Sequence, residues 1–230
     1  MAAEFALSVG LQTMGDITRE LSYAAVVLSC VFCLLLFTFS PDYIFTQLGL
    51  LFTLGADYYL VLSDPIEQLP AIIFFSAVQV FYCVRLLLGH KTMGGRVAHM
   101  TVRIAITAVA MLLTLLVLGE GADVLSLVSM FYYANLIMNL IVSFTQCDRS
   151  VLLPLGLVLF LLCDTVVGLQ VMEKAYFPSL ESSPLHQLLH PGYNLPWVFY
   201  LPSQVLIPLS LLEMRLRKPH RIEVADYYTV

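Results

Sequence analysis

The sequence predicts an all-α, polytopic membrane bundle of about seven transmembrane helices, built around a parallel internal repeat of a helix pair. Three observations carry this reading. The 230 residues are 60% hydrophobic and only 12% charged, where a soluble domain carries about 25% charged residues. Mean hydropathy is +0.88, and long apolar runs alternate with short polar breaks along the whole chain. Two matched stretches, Gly49-Leu-Leu-Phe-Thr-Leu-Gly-Ala-Asp57 and Gly156-Leu-Val-Leu-Phe-Leu-Leu-Cys-Asp164, share four of nine residues, and each ends in a lone aspartate.

The elements follow in order. Residues 1–20 lack the basic start of a signal peptide, and Glu4, Asp16, Arg19 and Glu20 interrupt their apolar positions; they read as an N-terminal tail or interfacial segment. The bundle occupies residues 21–214. Seven runs approach the ~20 residues needed to cross ~30 Å of hydrocarbon: Leu21–Phe39, Tyr43–Leu62, Leu69–Leu88, Val97–Leu118, Val124–Phe144, Val151–Met172 and Leu195–Leu212. Breaks such as Ser40-Pro41-Asp42, Asp64-Pro65, Gly94-Gly95-Arg96 and Cys147-Asp148-Arg149 separate them. The one long connection, Glu173 to Asn194, holds three prolines and has the length of a lid. Residues 215–230 form a basic tail. The spans consume nearly all of the chain, which leaves no room for a soluble domain. Cys30 and Cys33 lie one turn apart inside the first span, where thiols pack as small hydrophobes.

Orientation follows the basic residues. Lys91, Arg96, Arg149, Arg215, Arg217, Lys218 and Arg221 fall on one side, against Arg19 and Lys174 on the other. The positive-inside rule then places the C-terminus in the cytosol, and the plasma membrane is the default location. Arg85 and Arg103 sit near the basic ends of their spans and are expected to snorkel. The net charge of -5 gives no reason to expect a nucleic-acid partner, and nothing in the sequence states an oligomeric state.

With this topology Asp57 and Asp164 lie about 14 residues, or ~21 Å, from the inner ends of parallel spans. A carboxylate in hydrocarbon costs roughly 2.5–3.5 kcal/mol even on the mild insertion scale. Each motif is followed by a returning span with a central Gln-Val, at Gln79-Val80 and Gln204-Val205. Internal repeats of this kind place sites at their interface. Near the same level lie Gln79, Tyr82, Asn135, Tyr200 and Gln204, and on the fifth span Tyr132, Asn135, Asn139 and Ser143 recur on one face. Such groups also serve as interhelical glue, worth about 0.6 kcal/mol per contact. Two neighbouring carboxyls in a dry interior separate into one acid and one base. That pair suits chemistry on an uncharged bond. His90, His99, His186, His190 and His220 stay near span ends and loops, so no metal is expected at the aspartates.

These residues resemble the YhhN-like lysoplasmalogenase family of multispanning membrane proteins. The likeness rests on the motifs ending at Asp57 and Asp164, the Phe74-Phe-Ser-Ala-Val-Gln-Val-Phe-Tyr82 helix, and the late Tyr200-Leu-Pro-Ser-Gln204-Val-Leu-Ile, in order over roughly residues 43–212. The chain departs from the family in two ways: Gln79 stands where a histidine is usual, and about seven spans replace the usual eight. The resemblance implies hydrolysis of the vinyl-ether bond of lysoplasmalogens, releasing a fatty aldehyde, with a single-chain lysolipid as the membrane partner and no cofactor. Asp57 and Asp164 would be catalytic, with Gln79, Tyr82, Asn135, Asn139, Tyr200 and Gln204 around the substrate. The alternative is a non-enzymatic carrier or sensor of a small or lipid-like ligand that uses the same buried carboxylates.

Overall fold

Helix boundaries fall where the sequence places Pro, Ser, Thr, Asp and Gly between apolar runs. The computed structural model describes residues 15–36, 38–90, 92–176, 183–191 and 193–227. Its helices are α1 (Gly15–Leu35), α2 (Pro41–Asp57), α3 (Gln68–Gly89), α4 (Met93–Leu118), α5 (Val124–Phe144), α6 (Leu152–Tyr176), α7 (Pro184–Leu189) and α8 (Leu195–Tyr227). Pro41 opens α2, where its missing N–H costs no helical bond. The Thr92 hydroxyl accepts from the Gly95 amide at 3.1 Å to start α4. Asp123 and Ser126 form a reciprocal cap at the head of α5, satisfying two amides that a helix start leaves free. Gly119, at φ +53°, turns the chain after α4 in a conformation that costs a Cβ-bearing residue energy.

The first turn of α6 is capped from a distance. Glu213 on α8 accepts from the amides of Val151 and Leu152, each at 3.0 Å, and from the Ser150 hydroxyl at 2.5 Å. A carboxylate suits this place, because the helix N-terminus carries partial positive charge.

Among the described residues, six helices are long and apolar enough to cross a membrane: Pro41–Leu62, Gln68–Gly89, Met93–Gly121, Val124–Phe144, Leu152–Lys174 and Leu195–Arg217. The protein is an integral membrane helical bundle. The first expected span, Leu21–Phe39, falls on α1, which ends at Leu35 and whose described apolar part is Glu20–Leu35. It packs on α8 and α2 through buried Val26, Cys30 and Cys33. Both thiols are free and buried, as packing residues. Residues 1–14 lie outside the described residues. The expected tail from residue 215 continues α8 as helix to Tyr227, and the side chains of Lys218 and Arg221 also lie outside the described residues.

The most extensive helix contacts join α6 to α8 and α2 to α3, followed by α3 to α5. These are the two repeated pairs and the helix between them. In contrast, only 11% of the α4 span is buried, so α4 stands at the edge, packed on α5. The repeat has a geometric counterpart. A methyl on Gly49 would fall 2.4 Å from Tyr82 Cε1, and one on Gly156 would fall 2.9 Å from Ile207 Cγ1. Tyr82 and Ile207 each stand three residues after their repeat's glutamine. Each motif glycine therefore seats its helix against the corresponding place on the returning helix.

The expected snorkelling of two arginines is corrected by the fold. Arg85 and Arg103 are only 2% and 4% exposed. Arg85 donates to the Ser210 hydroxyl at 2.9 Å and lies 3.7 Å from Asp42. Internal acceptors hold both guanidinium groups, so neither has to reach the interface.

Candidate active site

The Asp57 side chain emerges from the last turn of α2, immediately before the helix widens into a π-helical turn over Tyr58–Leu62. Insertions of this kind re-aim the side chains beside them and recur at functional sites. Asp57 is 2% exposed. Its neighbour across the bundle is Tyr200 of α8, whose hydroxyl lies 2.8 Å from both carboxyl oxygens and donates to them.

Asp164 has a matching partner. The Tyr132 hydroxyl of α5 donates to Asp164 Oδ2 on α6. One step along the same helices, Tyr133 and Thr165 share a hydroxyl hydrogen bond of 2.8 Å. Tyr132 and Tyr200 are 7% and 5% exposed. Among the described residues neither aspartate forms an ion pair.

Rings join the two carboxyl–phenol pairs. Tyr200 meets Phe160 edge-on at 5.7 Å, Phe160 meets Phe75 edge-on at 5.8 Å, and Phe75 lies 5.8 Å from Tyr132. Trp197 packs edge-on against Tyr200 at 5.2 Å. Asp57 is thus buried and Asp164 half-buried, and each accepts a hydrogen bond from one phenol of this aromatic layer.

The remaining predicted residues divide. Asn135 and Asn139 hold Arg103. Arg103 Nη1 donates to Asn135 Oδ1 at 2.8 Å, and Nη2 donates to Asn139 Oδ1 at 2.7 Å. Its Nε and Nη2 also lie 3.3 and 3.0 Å from His99 Nε2. Asn139 Nδ2 donates to the Gln79 carbonyl and to Gln79 Oε1, both at 2.9 Å. Gln79, Asn139, Arg103, Asn135 and His99 thus form one buried chain across α3, α4 and α5. These asparagines thus tie α5 to α3 and α4, with an arginine at the centre.

Gln204 lies one turn beyond Tyr200 and donates weakly to Ser203 at 3.3 Å. Tyr82 fills the gap beside Gly49. Among the described residues Thr53 Oγ1, Ser76 Oγ, Gln79 Nε2, Tyr82 OH and Gln204 Oε1 are buried with no protein hydrogen-bond partner. Buried polar atoms generally find a partner in protein or ordered water. These five sit on α2, which carries Asp57, on α8, which carries its phenol, and on α3, which packs against α2.

Sequence reasoning missed two groups. Tyr132 stood at the head of the polar stripe, but nothing in its spacing told that it would reach Asp164. Arg103 carried a usable signal: His99, Arg103 and Thr107 are four residues apart, which draws one polar face on an otherwise apolar helix.

Residues 21–211 match the family model described as the YhhN family. No curated protein and no solved structure matches the chain.

Proposed function

Because the chain belongs to the YhhN family, we propose that it is a membrane-embedded hydrolase of the vinyl-ether bond of lysoplasmalogen-type lipids. The observation that carries the reading is the pair of carboxyl–phenol contacts, Asp57 with Tyr200 and Asp164 with Tyr132, joined through an aromatic layer. Cleaving a vinyl ether begins with proton transfer to its β-carbon. The resulting oxocarbenium takes up water, and the hemiacetal collapses to a fatty aldehyde and the free glycerophospho-alcohol. One carboxyl must supply the proton, and one carboxylate must stabilise the cation and take a proton from water. Tyr200 engages both oxygens of Asp57, an arrangement that suits the carboxylate. Tyr132 engages one oxygen of Asp164 and leaves the other to carry the transferable proton.

Other groups fit supporting roles. The unpartnered atoms of Thr53, Ser76, Gln79 and Gln204 suit a water or the glycerol oxygens of a lysolipid. The apolar helix faces suit its single alkenyl chain. Basic residues gather at one end of the bundle, where Arg149 pairs with Asp42 at 2.7 Å and Arg217 reaches the Cys147 carbonyl at 3.3 Å. Under the positive-inside rule this supports a cytosolic C-terminus, with the plasma membrane as the proposed location.

The test is mass spectrometry of the purified protein with lysoplasmenyl lipid and with the matching ester lysolipid. Aldehyde from the vinyl ether alone supports the hydrolase. No product from either lipid overturns it in favour of a carrier or sensor.

A further inference from the structure

Away from the aspartates, at the far end of α6, Glu173 meets two histidines. Glu173 Oε1 lies 2.9 Å from His186 Nδ1, and Oε2 lies 3.2 Å from His190 Nε2. The ligand atoms of the three residues all fall within 4.8 Å of one another. We propose that Glu173, His186 and His190 form a site for a divalent transition-metal ion of the zinc class.

The donors fit such an ion in type and in spacing. Zinc takes imidazole nitrogen and carboxylate oxygen at about 2.0–2.2 Å, which sets neighbouring ligand atoms of a tetrahedron about 3.3 Å apart. The two carboxylate–imidazole separations, one to each oxygen of Glu173, are close to that length, and the set as a whole stays within 4.8 Å. His186 lies in the last turn of α7 and His190 is its C-terminal cap. Their rings lie 4.5 Å apart.

Burial fits as well. The Glu173 side chain is 6% exposed, while His186 and His190 are 34% and 42% exposed. The carboxylate is held inside, and the imidazoles leave the outer face open to an entering ion. A second tie already positions the turn, since Gln170 donates to the Leu189 carbonyl at 2.7 Å. The sequence shows no compact metal motif because 13 positions separate Glu173 from His186.

The site has a place in the architecture. Glu173 stands nine residues beyond Asp164 on α6, about 13.5 Å along a helix axis. A bound ion would clamp α7 to the end of the helix that carries Asp164. This inference does not depend on the hydrolase reading.

The test uses the full-length protein without a histidine tag, purified in detergent, stripped with chelator and titrated with Zn2+ and Co2+ alone. The expected result is one ion per chain by elemental analysis, with a Co2+ visible spectrum of low-symmetry coordination. Glu173→Gln and His190→Gln should each weaken binding at least about tenfold, the lower end of what even an outer-shell substitution costs. His190→Cys should keep the ion and add a thiolate-to-cobalt absorption band, which a variant that merely misfolds does not produce. Zn2+ should also slow proteolysis of the connection between α6 and α8. Binding that is unchanged in these variants, or no binding by the intact protein, overturns the site and leaves a carboxylate–imidazole hydrogen-bond cluster.

Discussion

Phe75 and Tyr200 hold corresponding places in the two copies of the helix pair, four residues before Gln79 and Gln204, but only Tyr200 carries a hydroxyl. Tyr200 donates it to Asp57. The hydroxyl absent from Phe75 is supplied to Asp164 by Tyr132 of α5, whose ring lies 5.8 Å from Phe75. The repeat delivers two aspartates by the same device, and the chain between the repeats completes the second pair.

Removing either phenol should impair chemistry while sparing the fold. A hydrogen bond to a charged group contributes about 1.5–3 kcal/mol, so Tyr200→Phe and Tyr132→Phe should each lower turnover by about 10- to 100-fold. Steady-state kinetics on vinyl-ether lipid, beside thermal unfolding in detergent, would check this. Full turnover in both variants would remove the phenols from the mechanism.

The glycine seats predict a graded cost. Gly49→Ala drives a methyl into the Tyr82 ring at 2.4 Å, and overpacking of this kind costs about 1–3 kcal/mol. Combining Gly49→Ala with Tyr82→Ala should recover part of that loss, because the two sites share one contact. Gly156→Ala should cost less, since Ile207 Cγ1 begins 2.9 Å away. Unfolding midpoints of Gly49→Ala, Tyr82→Ala, their combination and Gly156→Ala test the order.

Arg103 should prove a structural cation. Arg103→Met strips the donors from Asn135 and Asn139, and orphaned buried acceptors cost about 1–3 kcal/mol. Arg103→Lys should restore only part of the stability, because one ammonium does not reproduce the fork that reaches both amides. Equal stability of the Lys variant and the parent protein would contradict the bridging role.

Much of this was legible in the sequence, and the limits have physical causes. Apolar run lengths located the spans because hydrocarbon thickness fixes how many residues cross it. Asp57 and Asp164 stood out because charge is rare at depth. The polar stripe on α5 was visible as well, but its partner was not. Periodicity reports which residues share a face, and it is silent on which neighbouring helix that face meets. The place of Arg103 near a span end suggests snorkelling, whereas His99 of α4 and Asn135 and Asn139 of α5 hold it inside. Glu173 and the two histidines escaped notice because the contact forms only when α7 folds back on α6.

Glu213 links the end of the bundle to its packing. Glu213→Gln removes the charge that caps α6, where Val151 and Leu152 donate to it. Loss of a cap typically costs about 0.5–2 kcal/mol. A lower unfolding midpoint with unchanged lipid hydrolysis is the expected result, and reduced hydrolysis at unchanged stability would contradict it.

The most direct measurement is the rate of aldehyde release from lysoplasmenyl lipid by the parent protein, Asp57→Asn and Asp164→Asn, with lipid binding measured on the same samples. The account predicts release by the parent and a fall of at least about 100-fold in each variant, the scale of acid–base catalysis, with binding retained. Full turnover in either variant, or binding without product in the parent, would contradict it.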